Sequence, residues 1–136
     1  MNIAIVTPAR AGTRNGNRHT AQRWAGFLRE LGHRVSVHTE WEWRGESCDP
    51  LLALHARRSH TSAVAYRNQY PDRPLVVTLT GTDLYKDLPR SREAHESLKL
   101  ADRIVVLQFA AKLELQKKRR SKTRVVYQSA DPFSYQ

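Results

Sequence analysis

The amino-acid sequence predicts an α/β protein built on a single parallel sheet. Segments with strand character alternate almost without exception with segments of helical periodicity. Several of the strand segments are apolar throughout, as expected for strands that are covered on both faces. With 136 residues, the chain has the size of one domain. We therefore expect a Rossmann-like, doubly wound sheet of about six strands with helices on both faces.

Strand character recurs at six places, and the fourth segment, RPLVVTLTG, is rich in β-branched residues. The first segment, NIAIV, is continuous, and the second, HRVSVHTE, alternates between polar and apolar residues. The predicted strands lie within residues 2–6, 33–40, 48–55, 73–81, 102–108 and 123–128.

Four helices are predicted between these strands. The first has Thr20 as its N-cap, apolar residues at helical spacing on one face, and Gly32 as its C-terminal stop. The second ends before Pro71, and the third begins after Ser91 as N-cap. The predicted helices span residues 20–31, 57–70, 91–101 and 109–120.

Composition and charge narrow the class of protein. Hydrophobic residues make up 40% of the chain and charged residues 26%, as in folded globular domains. No apolar run approaches the length of a membrane span and no signal peptide is recognised, and a single cysteine, Cys48, suits a reducing compartment. We therefore expect a cytoplasmic protein. Its net charge of +10 predicts attraction to phosphates or other polyanions.

The loop after the first strand is rich in arginine and glycine. Arg14, Gly16, Asn17 and Arg18 come just before or at the start of the first helix, close to Thr20. Free backbone N–H groups and the helix dipole favour an anion there. The glycine spacing matches neither the dinucleotide-binding fingerprint nor a P-loop. An anion site is favoured over a merely solvated loop.

The loop after the third strand supplies a second group of donors. Arg57, Arg58 and Ser59 precede the second helix. His55 is a candidate general base, but a lone histidine is more often a capping residue. The spacing of His55 and His60 does not fit a metal site, and no metal or cofactor is expected.

The loop after the fourth strand contains a glycine followed by hydrogen-bonding side chains. Gly81 allows the chain to turn sharply, and Thr82, Asp83 and Tyr85 follow it. Asp83 is a candidate catalytic or ligand-binding residue. An Asx turn, in which Asp83 only caps backbone amides, accounts for the same pattern equally well.

Residues 116–124, QKKRRSKTR, form a basic run at the end of the fourth predicted helix. Cations suit this end of a helix dipole, and no aromatic residues are interleaved with them. A solvated helix terminus is therefore favoured over a nucleic-acid contact.

The blocks TPARAGTRNGNRHTAQRWAGFLRELGHRV, LLALHARRSHTSAVAYRNQYPDRPLVVTLTGTDLYKDLP and LADRIVVLQ resemble the N-terminal half of selenosugar synthases. These are retaining glycosyltransferases of the GT-B fold, of the family-four type. The resemblance covers the chain to about Gln128, with HARRS and LTGTDLY as its most specific parts.

The resemblance implies that residues 1–128 form an acceptor-binding Rossmann-like domain and that residues 129–136 begin a linker to a C-terminal, donor-binding domain. It further implies UDP-N-acetylglucosamine as donor, selenophosphate as a small anionic acceptor, and no metal. Because the donor-binding half is absent from this sequence, we expect the chain alone to be inactive. The competing hypothesis is a non-enzymatic basic domain that binds nucleic acid or another polyanion.

Overall fold

The computed structural model describes residues 1–8, 16–41, 48–81, 87–113, 115 and 117–127. Within these ranges the chain alternates between strands and helices along nearly its whole length. The strands are β1 (Asn2–Val6), β2 (Arg34–His38), β3 (Leu51–Leu54), β4 (Leu75–Leu79), β5 (Arg103–Val106) and β6 (Thr123–Val125). The helices are α1 (Gly16–Glu30), α2 (His60–Gln69), α3 (Arg92–Leu100), α4 (Phe109–Leu113) and α5 (Lys117–Arg120).

The six strands form one sheet in the order β2-β1-β3-β4-β5-β6, and every neighbouring pair is parallel. The predicted parallel α/β sheet is therefore confirmed. The strand order reverses between β1 and β3, since the chain first moves outward to β2 and then returns to the other side of β1. In doubly wound sheets, ligands bind at the carboxyl ends of the strands at such a reversal.

Helices cover both faces of the sheet. On one face, Ala21 and Ala25 of α1 pack against Ile3, Ile5 and Leu54. On the opposite face, α2, α3 and α4 pack against alternate residues of the strands in a larger core. The small side chains of α1 let this helix lie close to β1 and β2. None of the helices in the described part of the chain combines the length and the apolar character of a membrane span.

The prediction that Thr20 is the N-cap of the first helix is wrong. Helix α1 begins at Gly16, and Thr20 is a buried residue inside it, 3% exposed. The residues from Gly16 to His19 are polar or lack a side chain, so no apolar periodicity marked this first turn.

The predicted helix over residues 109–120 is two short helices. The guanidinium group of Arg120 donates to the carbonyl oxygens of Leu113 and Leu115, at 2.8 and 3.0 Å. Carbonyls that accept from this side chain mark the end of α4 and the segment that follows it.

Two predicted helix boundaries are confirmed. Ser91 Oγ accepts from the Ala94 N–H at 3.1 Å, and Gly32 follows α1 with a φ of +94°.

A network at the amino-terminal edge of the sheet joins α2, β4 and β5. Asp102 Oδ2 accepts from the Leu75 N–H at 2.9 Å and from Arg67 Nη2 at 2.7 Å. Burial by itself raises the pKa of Asp102, but the hydrogen bonds from Arg67 and Leu75 outweigh it and hold that pKa below its usual value. The carboxylate is therefore favoured in the folded state.

Replacing Asp102 with alanine is expected to lower the free energy of unfolding by about 1–3 kcal/mol, because the Leu75 N–H loses its acceptor. The part of this contribution that depends on the ionised carboxylate is present above the unfolded-state pKa of about 3.9 and is lost as the pH falls through the lowered folded-state pKa. Urea unfolding of both proteins at neutral and acidic pH measures this. Asp72→Ala, at an exposed position, is the control and should change little. An equal loss in both variants contradicts the assignment.

Candidate anion-binding site

The carboxyl ends of β1 and β3 lie side by side at the reversal of strand order. Thr7 follows β1, and its N–H donates to the His38 carbonyl at 2.8 Å, so it continues the pairing of β1 with β2. His55 follows β3, and its N–H donates to the Thr78 carbonyl of β4 at 2.9 Å. The first two predicted loops therefore leave the sheet at the position where ligands bind in this fold.

His55 turns the chain sharply away from β3. Its φ of +78° lies in the left-handed region, which non-glycine residues rarely adopt and which histidine adopts more often than most. The residue is 1% exposed, and its carbonyl accepts from the Ser59 N–H at 3.0 Å. Backbone strain of this kind persists only where the surrounding structure holds it, and it clusters at functional sites.

A backbone hydrogen bond to the His55 ring indicates its tautomer. Nδ1 accepts from the Arg58 N–H at 3.1 Å, so Nδ1 carries no proton. In the neutral ring the proton is then on Nε2, which faces Asp87 Oδ2 at 3.6 Å. Neither ring nitrogen is free to take a proton from a substrate in this arrangement. Of the two roles left open for His55, the structure favours capping over general base.

Asp87 joins this cluster and was not singled out from the sequence. Its Oδ1 lies 3.0 Å from Arg57 Nε, and its side chain is 17% exposed. Its carbonyl accepts from the N–H groups of Arg90 and Ser91, which places it just before α3. No periodicity marks Asp87 in the sequence. The ion pair neutralises Arg57, so Arg57 is not an unpaired cation for an incoming anion.

Ser59 and Arg58 have different roles at the start of α2. Ser59 occupies the N-cap position but makes no side-chain capping bond, and its hydroxyl donates instead to the Leu54 carbonyl. It therefore fastens the turn to the end of β3. The Arg58 side chain is exposed and has no ion pair among the described residues. Of the two arginines of this loop, Arg58 is the one available to a ligand.

The first turn of α1 is electropositive. Gly16, Asn17 and Arg18 form it, and it contains no acidic residue. Arg18 Nε is buried and has no hydrogen-bond partner, and no ion pair of Arg18 occurs within the described part of the chain. A buried guanidinium N–H without an acceptor is costly, because the group has lost water without gaining a partner. This donor is suited to an oxyanion.

The third predicted loop is only partly described. Gly81 has a φ of +121°, as expected for the glycine that turns the chain after β4. The predicted site residues Arg14, Thr82, Asp83 and Tyr85 lie outside the described residues. Among the residues that are described, no three His, Cys, Asp or Glu side chains are grouped closely enough to hold a metal ion.

No protein-family model matches this chain, and no curated protein matches it significantly. At the carboxyl edge, Arg58 and the N-terminus of α1 with Arg18 are the parts that can attract an anion. The cluster of His55, Asp87 and Arg57 shapes the turn beside them.

The basic run over residues 116–124 is largely committed to internal contacts. Arg119 is buried and donates to His95 Nδ1 at 2.8 Å, and Lys122 Nζ donates to the carbonyls of Leu98 and Ala101 at 2.6 and 2.7 Å, at the end of α3. Lys117 and Lys118 are exposed. The run thus serves mainly to hold α3, α5 and β6 together, which weakens the argument for a nucleic-acid surface here.

Proposed function

We propose that this chain is the acceptor-binding, N-terminal domain of a retaining glycosyltransferase. It would bind a small anionic acceptor at the carboxyl edge of the sheet, near the reversal between β1 and β3. Following the resemblance in the sequence, the acceptor is selenophosphate and the sugar comes from UDP-N-acetylglucosamine. A second domain holds the donor in the enzymes that the chain resembles, and the proposal includes such a domain for catalysis.

The observation that carries the proposal is the unpartnered Nε of Arg18 in the first turn of α1. The turn lacks acidic residues, so the helix dipole and the guanidinium act on an anion in the same direction. Arg58, exposed at the neighbouring loop, adds a second cation. Charge of this kind holds an anionic nucleophile and also stabilises a departing diphosphate by electrostatics.

The remaining residues of the site position these groups. His55 fixes the turn through the Arg58 N–H, and Asp87 holds Arg57 at 3.0 Å. In this proposal neither His55 nor Asp87 removes a proton, and an ionised phosphate-like acceptor requires no base. The chemistry demanded of the domain is binding and orientation of the nucleophile.

Arg18→Ala is expected to weaken the binding of inorganic phosphate to this chain by about tenfold, which corresponds to the loss of about 1.4 kcal/mol of binding free energy. Calorimetric titration at low salt measures the dissociation constant. Arg34→Ala removes the same charge at the start of β2, on the opposite edge of the sheet, and should change it by less than about twofold. Equal losses would show that only the net charge matters.

Sugar transfer itself is tested by combining the chain with a donor-binding domain of a selenosugar synthase. Mass spectrometry should show a selenosugar from UDP-N-acetylglucosamine and selenophosphate only when both parts are present. Full turnover by the 136 residues alone, or none with any supplied domain, would overturn the proposed function.

A further inference from the structure

Three buried side-chain atoms have no hydrogen-bond partner among the described residues. They are Thr7 Oγ1, Thr78 Oγ1 and Arg18 Nε. Thr7 and Thr78 are both 0% exposed. Buried polar groups are almost always paired, so each exception needs an explanation. These three come from separate parts of the chain, namely the end of β1, strand β4 and the first turn of α1.

All three atoms belong to the same side of the sheet. Ile3 and Ile5 of β1 face α1, and Thr7 continues this alternation two residues later. Leu54 also faces α1, and Thr78 is its partner in the register of β3 and β4. Both threonines therefore lie on the α1 side.

Arg18 reaches the same region from the helix. It precedes the buried Ala21 and Ala25 by three and seven residues, so it shares their sheet-facing stripe. Helix α1 connects the parallel strands β1 and β2 and runs back along them, which brings its first turn to the carboxyl edge. Arg18 therefore lies on this stripe at the end where Thr7 leaves β1.

The arrangement of the strands explains why the threonines cannot satisfy each other. Val6 pairs with Ala53, so Thr7 lies opposite Leu54, and Leu54 pairs with Thr78. An apolar side chain thus separates the two hydroxyls. Their backbones are two strand spacings apart, about 10 Å. Leu54 itself is fully buried against Ala21 and Ala25, so a partner for both must be a separate group at the carboxyl edge of the sheet.

We propose that Thr7, Thr78 and Arg18 form a binding site for a small tetrahedral oxyanion. Each of the three atoms can donate a hydrogen bond, and Arg18 adds a positive charge without a partner among the described residues. An oxyanion that accepts hydrogen bonds of about 2.7 Å on two sides spans about 8 Å between the donor oxygens, close to the separation of the two strands. The inference rests on the proposed function for the ligand's role as acceptor.

In this proposal the hydroxyl groups of Thr7 and Thr78 serve to bind the oxyanion. Without the oxyanion, these buried and unpartnered groups lower the stability of the folded protein. Thr7→Val and Thr78→Val replace each hydroxyl with a methyl group of nearly the same shape. We expect each variant to unfold at the same or a higher urea concentration than the wild type, because an unpartnered polar group is removed. We also expect each to bind inorganic phosphate at least about tenfold more weakly.

Controls separate binding from folding. Thr7→Ser and Thr78→Ser keep the hydroxyl and should bind phosphate within about threefold of the wild type. Thr123→Val removes a buried hydroxyl that already donates to the Arg119 carbonyl at 2.7 Å. It should unfold at lower urea concentration and bind phosphate normally.

Titration with inorganic phosphate and with UDP distinguishes a free acceptor anion from the diphosphate of a donor. If phosphate or UDP binds to the wild type and binds more weakly to the threonine-to-valine variants, the site is supported. Which of the two ligands binds shows whether the anion is a free acceptor or the diphosphate of a donor. Phosphate and UDP affinities that are unchanged in Thr7→Val and Thr78→Val, or no binding of either to the wild type, would overturn it. Anion binding does not require sugar transfer. Phosphate binding that depends on the two threonines, together with no selenosugar formation, would therefore refute only the proposed function.

Discussion

Tyr66→Ala is expected to lower the free energy of unfolding by about 3–5 kcal/mol, the usual cost of truncating a buried aromatic residue. Tyr66 is 0% exposed and is among the largest fully buried side chains described in the domain. Its ring meets those of Trp41 and Tyr70 edge to face, with centroids 5.3 and 5.5 Å apart. The cavity would open beside the rings of Trp41 and Tyr70. Urea unfolding followed by far-ultraviolet circular dichroism measures the loss.

Tyr66→Phe is the matched control, since it keeps the ring and removes only the hydroxyl that donates to the Cys48 carbonyl at 3.3 Å. It should cost about 1 kcal/mol or less. Burial raises the pKa of Tyr66, so its neutral form is favoured in the folded state. That contribution is complete below the unfolded-state pKa of about 10 and is lost as the pH rises above it, and Tyr66→Phe should lack this loss. A Tyr66→Ala cost no larger than that of Tyr66→Phe would mean that the ring is not a core element.

The fold followed from the sequence because apolar content and periodicity report burial directly. The apolar segments NIAIV and RPLVVTLTG predicted strands that are covered on both faces, and the structure places β1 and β4 inside the sheet. The ends of the helices were harder to predict from the sequence. The first turn of α1 is polar and the break after α4 depends on contacts of the Arg120 side chain, so neither leaves a periodic signal.

The position of the candidate site could be predicted from the sequence, whereas most of its side-chain contacts could not. The carboxyl ends of β1 and β3 could be located from the alternation of strands and helices. His55 and Arg18 could therefore be identified as candidate site residues. The partner of Arg57 could not be predicted from the sequence, because Asp87 lies 30 residues further along the chain. Thr7 and Thr78 looked like ordinary β-branched strand residues. Only burial without a hydrogen-bond partner sets them apart.

His55→Ala is expected to lower the free energy of unfolding by about 2–4 kcal/mol. The change removes a fully buried ring and leaves the Arg58 N–H without its acceptor. Alanine would also have to adopt the φ of +78° that histidine adopts at this position. Asp87 would lose the imidazole that lies 3.6 Å away and keep only Arg57. Urea unfolding of the variant and the wild type measures this loss.

His55→Asn separates the structural role of His55 from a catalytic one. Asparagine tolerates the left-handed region, and its side-chain oxygen can accept from a nearby backbone N–H. We expect it to recover about half of the stability that alanine loses and to leave phosphate affinity within about twofold of the wild type, because both ring nitrogens are already occupied. When the chain is combined with a donor-binding domain, turnover should fall less than tenfold. A loss of a hundredfold or more in a folded His55→Asn protein, the size expected for a missing general base, would make His55 catalytic and would require its ring to leave Asp87 during the reaction.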